Sequence, residues 1–370
     1  MGSALSSSPA GTNAYAPLRA VLEGAVDSGA VPGIVVATGT SEGTRFLQGH
    51  GWAQMLPTRE PMRAYTLFDL ASLTKVVATT SLVAILSAEG QVSIEGRLDA
   101  YLTELSDDAK GAVTLHQLLT HTSGLPAWRP FYRDCTTREQ VLAAVLAEPL
   151  AEEPGVRRVY SDLGFILLGE VLERVSGRSL AALARERLFR PLGMLDTGFV
   201  PPSGLAARAA ATEIAAGHDL PKRGCVHDEN AGAMGGVSGH AGLFSTASDL
   251  ARFARMMLRG GRFEGVDVIP RSGYDALFAR DPSGPAGWCW RGWVGIGPED
   301  DLARILSTRA FGHTGFTGTS LWCDPERDVF VVCLTNAVHP SRNGNKRIAE
   351  VRMSVYGAAV QCVERQQARR

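Results

Sequence analysis

No C-x-x-C pair, no long uncharged apolar run and no excess charge of either sign occur in these 370 residues. Each absence removes a class of function. The 37 Lys and Arg balance 38 Asp and Glu for a formal charge of -1, so no strong field draws nucleic acid or an anionic membrane surface. The only basic excess, Gln366-Gln367-Ala368-Arg369-Arg370, reads as a frayed end. A membrane-spanning helix needs about 20 consecutive apolar residues, and none exist, so no stable membrane insertion is expected. The cysteines are Cys135, Cys225, Cys289, Cys323, Cys333 and Cys362. Scattered buried thiols are the main expectation for them, with a Cys323–Cys333 bridge across a hairpin as the alternative. His116 and His121 stand five apart, a spacing that puts them on different helix faces, and no zinc pattern emerges. No metal and no cofactor are therefore predicted. Residues 1–11 are rich in Ser, Ala and Gly, without the basic and apolar regions of a signal peptide. They are expected to be a disordered lead, and localisation is left unassigned.

What is present is an ordinary globular composition, 45% apolar and 20% charged, in a chain long enough to divide its core between two lobes. Leu18, Val21, Leu22 and Val26 fall at helical spacing. Pro32–Thr38 and Thr44–Gln48 read as strands joined by the turn Gly39-Thr40-Ser41-Glu42-Gly43. Residues 72–88 read as a helix apolar nearly all round, hence a buried one, closed by Gly90. Helices are predicted at 114–120, 137–147, 162–176, 179–189 and 247–259. Thr319–Cys323 and Val329–Leu334 read as antiparallel strands around the turn Asp324-Pro325-Glu326-Arg327-Asp328, and a last helix covers 345–365. Strands at both ends and helices between them predict an α+β fold: an antiparallel sheet flanked by helices from both chain ends, with an inserted mainly helical lobe. The expected division is a lead at 1–12, an α/β lobe from 13–70 and 236–366, and a helical lobe at 71–235.

Gly39-Thr40-Ser41-Glu42-Gly43 matches the G-x-S-x-G nucleophile elbow, but that elbow joins a strand to a helix. Here a strand-like segment follows, so a hairpin turn is expected. Ser72-Leu73-Thr74-Lys75 is the stronger nucleophile candidate. Residues i and i+3 share a helix face, so Lys75 can meet the Ser72 hydroxyl, which needs a base to attack. Burial lowers a lysine pKa and suits it to that role, and the helix N-terminus offers N–H groups to a developing oxyanion. Tyr160-Ser161-Asp162, after Pro154-Gly155, opens a helix and can present a phenol able to relay a proton. His313-Thr314-Gly315, followed by Phe316 and Gly318, opens a strand whose edge can bind an extended substrate, with glycine allowing close approach. Asn336 follows the last strand and is a candidate to face the cleft. His227-Asp228-Glu229-Asn230 is expected to be a solvated loop, and the glycines around His240 to serve tight packing.

This order of motifs resembles the class C β-lactamase, DD-peptidase and family VIII esterase group of penicillin-recognising serine hydrolases. The resemblance extends over residues 15–365 and includes Leu118–Pro126 and Gly239–Thr246. It implies an acyl-enzyme on Ser72, with Lys75 and Tyr160 managing the proton and the N–H groups of Ser72 and Phe316 forming the oxyanion hole. Asp162, His313, Thr314, Gly315, Phe316 and Asn336 would contact substrate. The substrate would be a small molecule or peptide with an acyl group: an ester, a β-lactam or a D-amino-acid peptide. Two positions depart from the group. Asp162 stands where Asn is common, and a carboxylate only accepts hydrogen bonds, so it would hold Lys75 in its charged form or repel a substrate carboxylate. His313 stands where Lys is common, and histidine titrates near neutrality. Both shift the expectation from an efficient β-lactamase to an esterase or peptidase. The competing expectation is a catalytically slow penicillin-binding or cell-wall peptide sensor.

Overall fold

The computed structural model describes residues 14–279 and 290–369; the predicted lead at 1–12 and Cys289 lie outside them. Strands from both ends of the chain share one seven-stranded antiparallel sheet. Its order is Glu60–Pro61, Gly43–Gln54, Gly33–Thr40, Val329–Thr335, Ser320–Asp324, Phe311–Thr314, Val294–Gly295. The seam between the two ends is the pairing of Gly33–Thr40 with Val329–Thr335, in the register Ile34 to Thr335 and Val36 to Cys333. Helices are the main regular structure in the chain between, so the fold is α+β.

Both seam strands are buried along their whole length, which explains why they read as unbroken apolar runs rather than alternating ones. Their side chains still alternate by face. Ile34, Val36, Val331 and Cys333 pack with Leu18, Leu22, Val355 and Val363 of the two terminal helices, Ala16–Asp27 and Ile348–Gln367. Val35, Ala37, Phe330, Val332 and Leu334 pack on the other side with Phe253 and Met256 of helix Ala247–Leu258. The same alternation decides the cysteine question. Cys323 and Cys333 are both free and belong to opposite packing layers, and Cys323 pairs in register with Phe330.

The strand-turn-strand reading of residues 39–43 holds: Thr40 pairs with Gly43 in the hairpin. The helix expected over 72–88 is modified. It contains a π-helical segment, Lys75–Thr80, before regular α-helix at Ser81–Ala88. Ser81 Oγ donates to the Val76 carbonyl five residues back. Such π turns concentrate at functional sites, and this one begins at Lys75. The last helix starts at Ile348, after a 3₁₀ turn over Arg342–Arg347. A small second sheet, Phe68–Asp69, Leu243–Ser245 and Gly198–Phe199, went unread in the sequence because its strands have only two or three residues.

Candidate active site

The nucleophile turn is built from Asp69. Its strand pairs with Leu243–Ser245, and its buried carboxylate accepts the Ala71 N–H at 2.8 Å and the His227 N–H at 2.6 Å. Ala71 adopts a left-handed φ of 47°, an uncommon conformation for a residue with a Cβ. The turn thus delivers Ser72 into a cavity of about 300 Å³, which Trp128, Tyr160, Asp162, His227, Asp228, His240, Phe316 and Arg342 also line.

The sheet edge is bound to the same turn. Thr317 Oγ1 donates to the Asp69 carbonyl at 2.8 Å, and Thr319 Oγ1 to the Leu70 carbonyl at 3.0 Å. A Cβ on Gly315 would stand 2.4 Å from the Leu70 oxygen, so only glycine lets strand and nucleophile turn come this close. Phe316 reaches the cavity and stacks on His227, ring centroids 5.7 Å apart. Thr314 sits exposed at the strand end; its carbonyl receives the His313 Nδ1–H at 2.8 Å.

Lys75 has no exposed side-chain surface. Its ammonium donates to Ser72 Oγ at 3.2 Å and to the His240 carbonyl at 3.0 Å, and forms an ion pair with Asp162 at 2.7 Å. Burial alone would lower its pKa, as the sequence suggested. The Asp162 carboxylate and the Tyr160 phenol outweigh that effect and push it above the ordinary lysine value. Of the two expectations for Lys75, the lysine depressed into a general base is therefore corrected, and the direction follows the other, an ammonium held by Asp162.

His313 is also corrected. Burial, joined by the charge of Lys75, pushes its pKa from 6.5 down to about 3. It is a neutral imidazole near neutrality, not a titrating cation, and its ring lies 5.9 Å from that of Tyr160. The sign of the stability effect follows. Between pH 6.5 and 3 the unfolded imidazole takes up a proton that the folded one refuses, so stability falls as pH drops, by up to ~1.4 kcal/mol per pH unit. Urea titrations from pH 7 to pH 4 should show a shallower decline for His313→Asn than for the wild type. Equal slopes would remove His313 from this effect.

Asn336 does not join the others. It is buried, and its Nδ2 lies within hydrogen-bonding reach of the Trp52, Ala53 and Ala211 carbonyls, at 3.3, 3.1 and 3.4 Å. It ties the sheet to neighbouring chain away from the residues lining the cavity. The segment 227–230, expected to be solvated, turns inward instead. Asp228 caps the short helix Glu229–Ala233, accepting the Ala231 N–H at 2.8 Å, and accepts from His240 Nε2 at 2.9 Å. Burial opposes its ionisation, but His240, the Ala231 N–H and Lys75 hold its carboxyl well below the usual range. Arg342 spans Glu213 and Glu229, each at 2.6 Å. The tight-packing reading of the glycines holds beside His240: a Cβ on Gly239 would stand 2.1 Å from the Phe165 carbonyl. Atoms of Asp162, Asp228 and His240 lie within 4.8 Å of one another, and Lys75 joins them through Asp162 and the His240 carbonyl. Sequence reasoning missed Asp69, His240 and Arg342 as parts of the site, and held lining of the site by 227–230 only as the lesser alternative to a solvated loop.

A sequence model of the family described as Beta-lactamase matches residues 18–353. The chain is 31% identical over 333 residues to N-acetylmuramyl-L-alanine amidase of Bacillus subtilis (strain 168), covering 79% of this chain and 74% of that protein. It is 31% identical over 339 residues to an Escherichia coli (strain K12) protein described as a candidate D-alanyl-D-alanine carboxypeptidase, covering 81% and 78%. In fold it is similar to EstCE1, a hydrolase with promiscuous acyltransferase activity, with a TM-score of 0.74 at 24% identity over 95% of this chain and 100% of that one.

Proposed function

The chain belongs to the Beta-lactamase family and is a serine acyl hydrolase, and from that premise we propose that it works through an acyl-enzyme on Ser72, with Tyr160 moving the proton and Lys75 supplying fixed positive charge. One observation carries this assignment: the Ser72 hydroxyl opens on the cavity while its oxygen accepts from a buried ammonium at 3.2 Å. An ammonium cannot take the serine proton. The Tyr160 oxygen, on the cavity wall with Lys75 beside its ring, 5.0 Å from the centroid, is assigned as the acceptor, acting as the phenolate. Tyr160 then returns the proton to the leaving group, and water releases the acyl group by the reverse sequence. The N–H groups of Ser72 and Phe316 are assigned to the oxyanion.

The substrates that fit best are uncharged acyl donors, esters first. His313 is neutral where the related group has a permanent cation, and the Asp162 carboxylate faces the cavity, so a substrate carboxylate gains little here. Esters therefore rank above β-lactams and above D-amino-acid peptides with a free C-terminal carboxylate.

Intact-mass measurement with p-nitrophenyl acetate, benzylpenicillin and a D-alanyl-D-alanine peptide tests this. Steady ester turnover is expected, with an acyl group trapped on the Ser72 peptide after acid quench. The ester kcat/KM should exceed that for benzylpenicillin. A penicillin adduct that persists, with no ester or peptide turnover, would instead identify a penicillin-binding sensor. No adduct and no turnover with any donor would sink the assignment.

A further inference from the structure

His121 lies behind Tyr160, not among the residues lining the cavity, and is buried. Its backbone is left-handed, with φ 60°, a conformation uncommon outside glycine, though Asn, Asp and His adopt it more readily than most. Strain of this kind persists where surrounding structure enforces it. Here the turn is enforced by a hydroxyl–hydroxyl bond between Thr120 and Thr122 at 2.9 Å, and by the Gly155 N–H on the Thr122 carbonyl at 2.7 Å. So held, His121 grips both neighbours of Tyr160. Its carbonyl accepts the Val159 N–H at 2.8 Å, and its Nδ1 accepts the Ser161 N–H at 3.0 Å. Its ring packs against the Tyr160 ring with centroids 4.5 Å apart, and against Phe165 at 5.2 Å.

From these contacts we infer that His121 is a positioning residue that fixes the Tyr160 phenol relative to Ser72 by accepting the Ser161 N–H. The inference rests on the proposed role of Tyr160 at Ser72. Accepting at Nδ1 requires a lone pair there, so the imidazole is the neutral tautomer protonated on Nε2. Burial, with Lys75, Arg158 and His313 nearby, keeps it neutral. Because Tyr160 is 38% exposed, the protein packs around only part of its ring, and the two grips on its backbone do much to set where the phenol points. Displacing a reacting group by about 1 Å can cost ~100-fold in rate.

The chemistry separates two substitutions. Asn places an amide oxygen near the position of Nδ1 and tolerates the left-handed backbone. Phe keeps the ring and loses the acceptor. With p-nitrophenyl acetate, His121→Phe should lower kcat by ~10- to 100-fold with KM little changed, whereas His121→Asn should retain most of kcat. In a Tyr160→Phe background the kcat loss from His121→Phe should vanish, a coupling that a purely structural role would not produce. His121→Ala serves the same comparison if His121→Phe does not fold. A wild type without ester turnover would defeat the parent assignment. An active wild type, with His121→Phe at its kcat, or with His121→Asn as impaired as His121→Phe, would overturn the positioning role alone.

Discussion

Ser72→Ala is expected to lower ester kcat/KM by about 10³- to 10⁶-fold and to abolish the trapped acyl adduct, while leaving the unfolding midpoint nearly unchanged. The size follows from the loss of a nucleophile whose partners act as a unit; residual rate then comes from binding and the oxyanion hole alone. The neutral effect on stability follows from the local structure. The nucleophile turn is held without the hydroxyl: Asp69 holds the Ala71 and His227 amides, and Thr317 and Thr319 hold the Asp69 and Leu70 carbonyls. Lys75 keeps its ion pair with Asp162 and its bond to the His240 carbonyl.

The substitution also decides between Ser72 and a decoy. Ser238 Oγ lies 2.7 Å from His240 Nδ1, and His240 Nε2 lies 2.9 Å from Asp228, an arrangement with the residue types of a Ser-His-Asp triad. Ser238 is 1% exposed and lies outside the residues that line the cavity with Ser72, so no acyl donor can reach it. Retention of a tenth or more of wild-type activity by Ser72→Ala would return attention to Ser238. Matched unfolding curves and the missing adduct together establish that a loss of activity reflects chemistry at Ser72.

What was legible in the sequence were features whose physics is local or strictly periodic. The seam strands announced themselves as apolar runs because both faces are buried, and the helix at Asp162–Ser176 by its apolar stripe, with Ser161 as cap and Gly177 as left-handed stop. Ser72 and Lys75 could be paired because a single helical turn separates them. What was not legible depended on contacts across long sequence separations. That Asp162 would hold Lys75 charged could be suspected from its residue type, but not that burial would be outweighed, which depends on an ion pair across 87 positions and on Tyr160. The charge state of His313 is decided by burial and by Lys75. Asn336 follows a strand end, as a cleft residue would, but the carbonyls of Trp52, Ala53 and Ala211 claim its amide. His227 and Asp228 looked solvated because a run of polar residues gives no sign that Asp69 and His240 wait for it.

Asp162→Ala is the second large effect, and it is expected in stability as well as rate. Removing one partner of a buried ion pair leaves an uncompensated charge and costs about 3–5 kcal/mol. Here the orphan is Lys75, with no exposed side-chain surface and the Ser72 hydroxyl, the His240 carbonyl and the Tyr160 side chain left beside it. Lys75→Met should cost less, because the Asp162 side chain it abandons keeps 18% exposure and can be solvated. The double variant Lys75→Met/Asp162→Ala should recover most of the stability lost by Asp162→Ala and none of the activity. The pH dependence carries a further sign. In the wild type the folded pKa of Lys75 is raised, so its stabilising contribution is present below about pH 10.5 and lost only above it. Without Asp162 the largest opposition to the burial effect is gone, and the folded pKa of Lys75 falls relative to the wild type. The folded variant then gives up its proton at lower pH than the folded wild type does, and the stability deficit of Asp162→Ala should shrink as pH rises from 7 toward 10. Urea unfolding of the four proteins at pH 7 and pH 9.5 measures both effects. A loss under ~1 kcal/mol in Asp162→Ala, or a double variant no more stable than Asp162→Ala, would show that Lys75 does not depend on Asp162 for its charge. A small loss of that kind is what an uncharged Lys75 would give; Lys75 itself then becomes the stronger candidate for the base at Ser72, and Tyr160→Phe the milder substitution.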